Sequence, residues 1–142
     1  MNTEQKVLQT IDGMKDEIVA FLQKLVSTPS VTGEELEIQT FLAEKMRAMG
    51  LEVDLWEPDL EALRKHPAYL PPDRDYRNRP NLVAIYKGTG GGNSLLFNGH
   101  VDVIPAGPDD AWKHPPWGGE TEEGRLYGRG ASDMKSGLAA MT

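Results

Sequence analysis

The sequence has no cysteine. No disulfide can staple its fold and no thiolate is offered to a metal, so any metal ligands must be His, Asp or Glu. The same absence fits a reducing compartment, and a cytoplasmic location is expected. Histidine is scarce as well, with three in 142 residues: His66, His100 and His114. No stretch approaches the ~18 apolar residues of a membrane-spanning helix. Residues 1–20 carry Lys, Glu and Asp throughout and lack the apolar centre of a signal peptide. Positive charge is in deficit, 15 Lys and Arg against 22 Asp and Glu, for a net charge of −7. That balance argues against a nucleic-acid partner and against a basic helix lying on a lipid surface. Hydrophobic content of 39% and charged content of 26% are those of an ordinary globular protein. The length fits one domain.

Periodicity supplies the elements. Val7, Ile11, Met14, Ile18, Leu22 and Leu25 recur in steps of three and four, which predicts one long amphipathic helix ending before Pro29. Thr32 and Glu35 have the spacing of a capping box and predict a second helix starting there, with Ile38, Phe41, Leu42, Met46 and Met49 as its buried stripe. Leu51, Val53 and Leu55 alternate with polar or amphipathic neighbours and predict a strand. Residues 58–80 hold five prolines (58, 67, 71, 72 and 80), which breaks ladders and helices and predicts a surface excursion with about two helical turns at 59–66. Leu82–Tyr86 predicts another strand, Ser94–Phe97 a short buried one, and Gly124–Tyr127 a third short piece. Met134–Met141, with Leu138, Ala139 and Ala140 as good helix formers, predicts the start of a helix. No internal repeat is present. The fold class is α/β, a mixed sheet flanked by helices.

Chemistry concentrates in two places. Asn98-Gly99-His100-Val101-Asp102 follows the third apolar run, and alternation puts His100 and Asp102 on one face. A metal-bound imidazole commonly gives its other N–H to a carboxylate, and Asp102 is near enough to receive it. An isolated His-x-Asp is also what a solvated loop pair looks like. Asp133 closes Gly128-Arg129-Gly130-Ala131-Ser132-Asp133, where, taken alone, it reads first as the cap of the following helix. The flanking glycines permit a tight backbone course that aims a carboxylate inward. Two ligands do not close a zinc site, which takes at least three protein groups. His114, His66, Trp112 and Trp117 are read as packing or surface residues. Ser132 has no base nearby in sequence, and Gly90-Gly91-Gly92 lacks the Lys-Ser/Thr of a phosphate loop.

The two segments together are far more specific. H-V-D-V-I-P, then P-P-W and G-R-L-Y-G-R-G-A-S-D-M-K, with the spacing between them, resemble the zinc aminoacylase and carboxypeptidase family, which includes acetylornithine deacetylase and succinyl-diaminopimelate desuccinylase. The match is close over about the last 50 residues, and S-T-P-S-V-T-G-E-E near the start is similar as well.

The resemblance implies that residues 1–142 form the N-terminal part of a dizinc hydrolase catalytic domain. The rest of that domain and a lid domain used for dimerisation lie outside this sequence. It implies His100 as a ligand of one zinc, Asp133 as the carboxylate bridging two zincs, and Asp102 as the catalytic-site partner that orients His100. It also implies a cis peptide between Asp133 and Met134. The implied cofactors are two zinc ions, with cobalt or manganese as substitutes. The implied reaction is hydrolysis of an amide in an N-acyl amino acid or related small molecule by the parent protein, a homodimer. The isolated chain is expected to be inactive and metal-poor. A zinc dipeptidase or carboxypeptidase, or a silent binding relative, are the alternatives.

Overall fold

The computed structural model describes residues 1–71 and 75–142. Pro72, part of the expected proline-rich excursion, lies outside the described residues. In chain order the elements are α1 (Thr3–Gly13), α2 (Lys15–Ser27), α3 (Leu36–Ala48), β1 (Glu52–Trp56), α4 (Leu60–Leu63), β2 (Asn81–Ile85), β3 (Glu120–Glu122), β4 (Arg125–Tyr127) and α5 (Ser136–Met141). They form two compact units, one joining residues 1–28 to 106–142 and the other running from 29 to 105. No helix among the described residues is long and apolar enough to cross a membrane.

In the first unit, the single helix expected from Val7 to Leu25 is broken at Met14. Gly13 precedes the break, and glycine inside a helix costs about 1 kcal/mol relative to alanine. Burial does not offset that cost on the N-terminal side. α1 buries no residue, and Val7, Ile11 and Met14 stay 51%, 49% and 42% exposed. The apolar stripe is real as a pattern, but only its C-terminal end is covered, where α2 buries Leu25 and Val26. The helix stops at Ser27, and Thr28 is extended, as the residue before a proline prefers to be. β3 and β4 pair antiparallel with Thr121 opposite Leu126. Glu123 and Gly124 between them both have positive φ, the signature of a two-residue type I′ turn. All three β3 residues are exposed and polar, so no hydrophobic pattern announced that strand.

In the second unit, α3 buries Ile38, Leu42 and Ala43, while Phe41 and Met46 are half-buried and Met49 is exposed beyond the last turn. The helix starts at Leu36, later than the expected capping box at Thr32, because both capping side chains are engaged elsewhere. Glu35 accepts from the Gly33 N–H at 2.9 Å and from Arg79 Nε at 3.0–3.1 Å. Thr32 lies in a turn closed by the Glu34 N–H donating to Val31 O at 2.8 Å, and its own N–H donates to Val103 O at 3.1 Å. β1 and β2 pair antiparallel with Asp54 opposite Val83, and α3 packs against both strands. Asp59 caps α4, accepting from the Glu61 and Ala62 N–H groups.

Ser94–Phe97 departs from its expectation as a buried strand. Leu95, Leu96 and Phe97 are 78%, 86% and 59% exposed, and the run belongs to neither sheet. An apolar strand is buried only where neighbouring strands and helices cover it, and among the described residues none does. Among the described residues, strand pairing therefore consists of two antiparallel pairs and one parallel bridge.

Candidate metal centre

His100 and Asp102 stand where the second unit folds its first residues against its last. Val103 N–H donates to Ser30 O at 2.9 Å, and Thr32 N–H donates to Val103 O at 3.1 Å. The Ser30 hydroxyl donates to Val101 O at 2.7 Å. Val101 and Val103 are buried, and the alternation leaves His100 and Asp102 on the opposite side, their side chains 48% and 39% exposed.

The His100 ring is fixed by its own neighbour but one. Nδ1 lies 2.9 Å from Asp102 O and 3.3 Å from Asp102 Oδ1. A backbone carbonyl can only accept, so the proton sits on Nδ1, and the lone pair of the neutral ring belongs to Nε2. Of the two Asp102 groups, the carbonyl is thus the nearer to Nδ1 and the carboxylate slightly farther away. The carboxylate is itself held by Thr32, whose hydroxyl donates to Oδ2 at 2.9 Å. Sequence reading missed Thr32, because T-G-E-E looks like a helix start and nothing local points 70 residues ahead.

Asp133 belongs to the first unit. It is exposed and has extended backbone angles (φ −128°, ψ 100°) inside the irregular turn Ala131–Lys135. The Asp133–Met134 peptide is cis. It is not the cap of α5, since the turn continues through Lys135 before that helix begins. Lys135, not singled out from sequence, is fully buried. Its ammonium donates to Leu25 O at 2.8 Å and Thr28 O at 2.9 Å, and Nζ stands 5.7 Å from the Trp117 ring centroid. Burial pushes the Lys135 amine down to about 8.

Elsewhere in the first unit, His114 stacks on Tyr127 with ring centroids 4.1 Å apart and faces Glu120 Oε2 at 2.8 Å and Glu122 Oε2 at 3.3 Å. Trp112 donates to Ala106 O at 2.9 Å and lies under the Arg129 guanidinium. These contacts pack the proline-rich loop. His66 accepts from the Ala68 N–H at the surface.

The donor types suit zinc: an imidazole nitrogen with its tautomer fixed, an exposed carboxylate, and no competing thiol. Among the described residues, no three His, Cys, Asp or Glu side chains group so as to hold a metal ion. His100 and Asp102 are brought together, while Asp133 lies in the other unit.

Residues 96–142 match peptidase family M20/M25/M40. The chain is 38% identical over 124 residues to the succinyl-diaminopimelate desuccinylase of Methylorubrum extorquens, covering 87% of this chain and 28% of that protein. It is 33% identical over 141 residues to the N-formyl-4-amino-5-aminomethyl-2-methylpyrimidine deformylase of Halalkalibacterium halodurans, covering 96% and 29%. Among solved structures it is similar to human carnosine dipeptidase 1, with a TM-score of 0.74 and 28% identity over 96% of this chain and 29% of that one. The chain spans little more than a quarter of the length of these relatives. By sequence over its last third the chain is similar to peptidase family M20/M25/M40, and by fold over nearly its whole length it is similar to human carnosine dipeptidase 1.

Proposed function

We propose that the protein carrying this chain is a zinc-dependent amidohydrolase acting on an N-acyl amino acid or related small molecule. His100 and Asp133 supply two of its metal-ligating groups, and Asp102 orients His100. On this reading residues 1–142 are the N-terminal part of a catalytic domain. The observation that carries the proposal is the hydrogen bond from His100 Nδ1 to Asp102 O at 2.9 Å. It puts the ring proton away from Nε2, the tautomer that a metal-ligating imidazole needs. Thr32, by holding the Asp102 carboxylate, keeps that residue in place. When bound, zinc acts as a Lewis acid and lowers the pKa of its water toward ~7. The substrate class is supported by the relatives' names: desuccinylase, deformylase and dipeptidase each describe cleavage at a nitrogen carrying an acyl or aminoacyl group.

The test is hydrolysis of N-succinyl, N-acetyl and N-formyl amino acids and of dipeptides by the full-length protein carrying this chain, before and after chelation. Chelation abolishes turnover and Zn²⁺ restores it, His100→Ala and Asp133→Asn abolish it, and Asp102→Asn weakens metal binding about 10–100-fold. Turnover that survives chelation or His100→Ala overturns the proposal. A dipeptidase reading is favoured if only dipeptides are cleaved.

A further inference from the structure

The turn that carries Asp133 is attached to one helix end at both of its ends. At its start, Gly128 passes so close to α2 that a Cβ there would collide with Val26 Cγ1 and stand 2.9 Å from Pro116 O. The next residue is held to the proline-rich loop instead, Arg129 N–H donating to Pro116 O at 2.7 Å. At its finish, Lys135 reaches the last turn of the same helix and donates to the Leu25 and Thr28 carbonyls. Those carbonyls are among the groups that a helix C-terminus leaves without an intrahelical partner, and the helix dipole favours a cation there. Lys135 N–H donates to Gly130 O at 2.9 Å and closes the turn on itself. Ser132 and Asp133 are the exposed members of this turn, and Asp133 stands two residues before the anchor.

We propose that Lys135 is a positioning residue, whose ammonium ties the turn to the end of α2 and so fixes the stance of the Asp133 carboxylate. Gly128 is the matching constraint at the other end. A lysine used only to fill the core is poorly chosen for a fully buried site, because methionine or leucine fills the same space without desolvating a charge. Its two carbonyl acceptors make it a tether with a defined length and direction. This inference rests on the reading of Asp133 as a metal ligand.

The test is backbone ¹⁵N relaxation of the chain with Lys135→Met, alongside Gln23→Ala as a control. The control removes the Gln23 Nε2 bond to Gly119 O, which touches α2 without touching the turn. In Lys135→Met the order parameters of residues 131–134 fall from about 0.85 to below about 0.6, while those of α2 hold. Gln23→Ala leaves residues 131–134 unchanged. Equal order in the two variants, with only the melting temperature lowered, overturns the proposal. If Lys135→Met does not fold, Lys135→Gln, which keeps one donor, is read the same way. Failure of both to fold overturns it, since the residue then belongs to the folding core.

A Zn²⁺ titration of the full-length protein carrying this chain, followed on the Asp133 carboxyl ¹³C signal, separates the two readings. A shift in the wild-type protein that needs at least tenfold more Zn²⁺ in Lys135→Met supports both. Loss of order in the variant, with no Zn²⁺ response in the wild type, supports the tether and removes the metal role.

Discussion

Thr32 donates its hydroxyl to Asp102 Oδ2 at 2.9 Å across 70 residues of sequence. A bond to a charged acceptor contributes about 1.5–3 kcal/mol, and partial exposure of Asp102 lowers that here. Thr32→Val is expected to cost about 1 kcal/mol of stability and to free the carboxylate to rotate. Urea denaturation checks the first, and the His100 ring ¹⁵N shifts check the second. A loss confined to stability, with the ring signals unmoved, shows that the Asp102 carbonyl alone fixes the tautomer.

Gly128→Ala forces a methyl group into Val26 Cγ1. Overpacking of this kind costs roughly 1–3 kcal/mol. Gly88→Ala is the comparison, because nothing lies within 4 Å of its added Cβ. Its cost is expected to stay within about 0.5 kcal/mol. Similar urea midpoints for the two variants contradict the close approach.

Glu35 and Arg79 form an ion pair at 3.0 Å with side chains 7% and 18% exposed. Glu35→Ala leaves a nearly buried guanidinium without its carboxylate. Removing one partner of a fully buried pair costs about 3–5 kcal/mol, and the residual exposure of Arg79 puts this case at or below the lower end. Replacing both residues, as Glu35→Leu with Arg79→Leu, is expected to recover more than half of the loss. Thermal unfolding of the two single variants and the double variant measures the coupling.

Asp75 titrates below its ordinary value of 3.8, first because the Arg77 side chain bonds its carboxylate and then because the Arg77 N–H does. The guanidinium Nε donates to Oδ2 at 2.8 Å and the backbone N–H to Oδ1 at 3.2 Å. A depressed folded value means that this contribution is present above the ordinary value and lost as pH falls through the lowered one. Arg77→Met is expected to raise the midpoint toward 3.8 without reaching it, since the backbone donor stays. Carboxyl ¹³C titration by NMR reads the change, and an unmoved midpoint refutes the assignment of cause.

The parts of the fold legible in the sequence are those decided locally. The Ile38 and Leu42 stripe, the Val53–Leu55 alternation and the stop before Pro29 follow from periodicity and backbone sterics. So does the alternation at residues 100–103, which leaves His100 and Asp102 on one side. The Asp133–Met134 cis bond was implied by family resemblance and is present, though no physical rule applied to the sequence predicts it. What stayed hidden depends on distant partners. Thr32 and Glu35 look like caps until Asp102 and Arg79 claim them. Lys135 looks like a surface cation until the end of α2 appears above it. Val7 and Ile11 carry a helical stripe, but a stripe does not specify that anything packs on it.

The exposed run Leu95-Leu96-Phe97 has a consequence for the chain as a colloid. Uncovered apolar extended segments pair with copies of themselves, and little besides charge keeps such copies apart. Here that charge is −7. Its reach shrinks from about 30 Å at 0.01 M salt to about 3 Å at 1 M. Solutions of the isolated chain should therefore stay clear when dilute in electrolyte and turn turbid as salt is added, and Leu96→Lys should delay the onset.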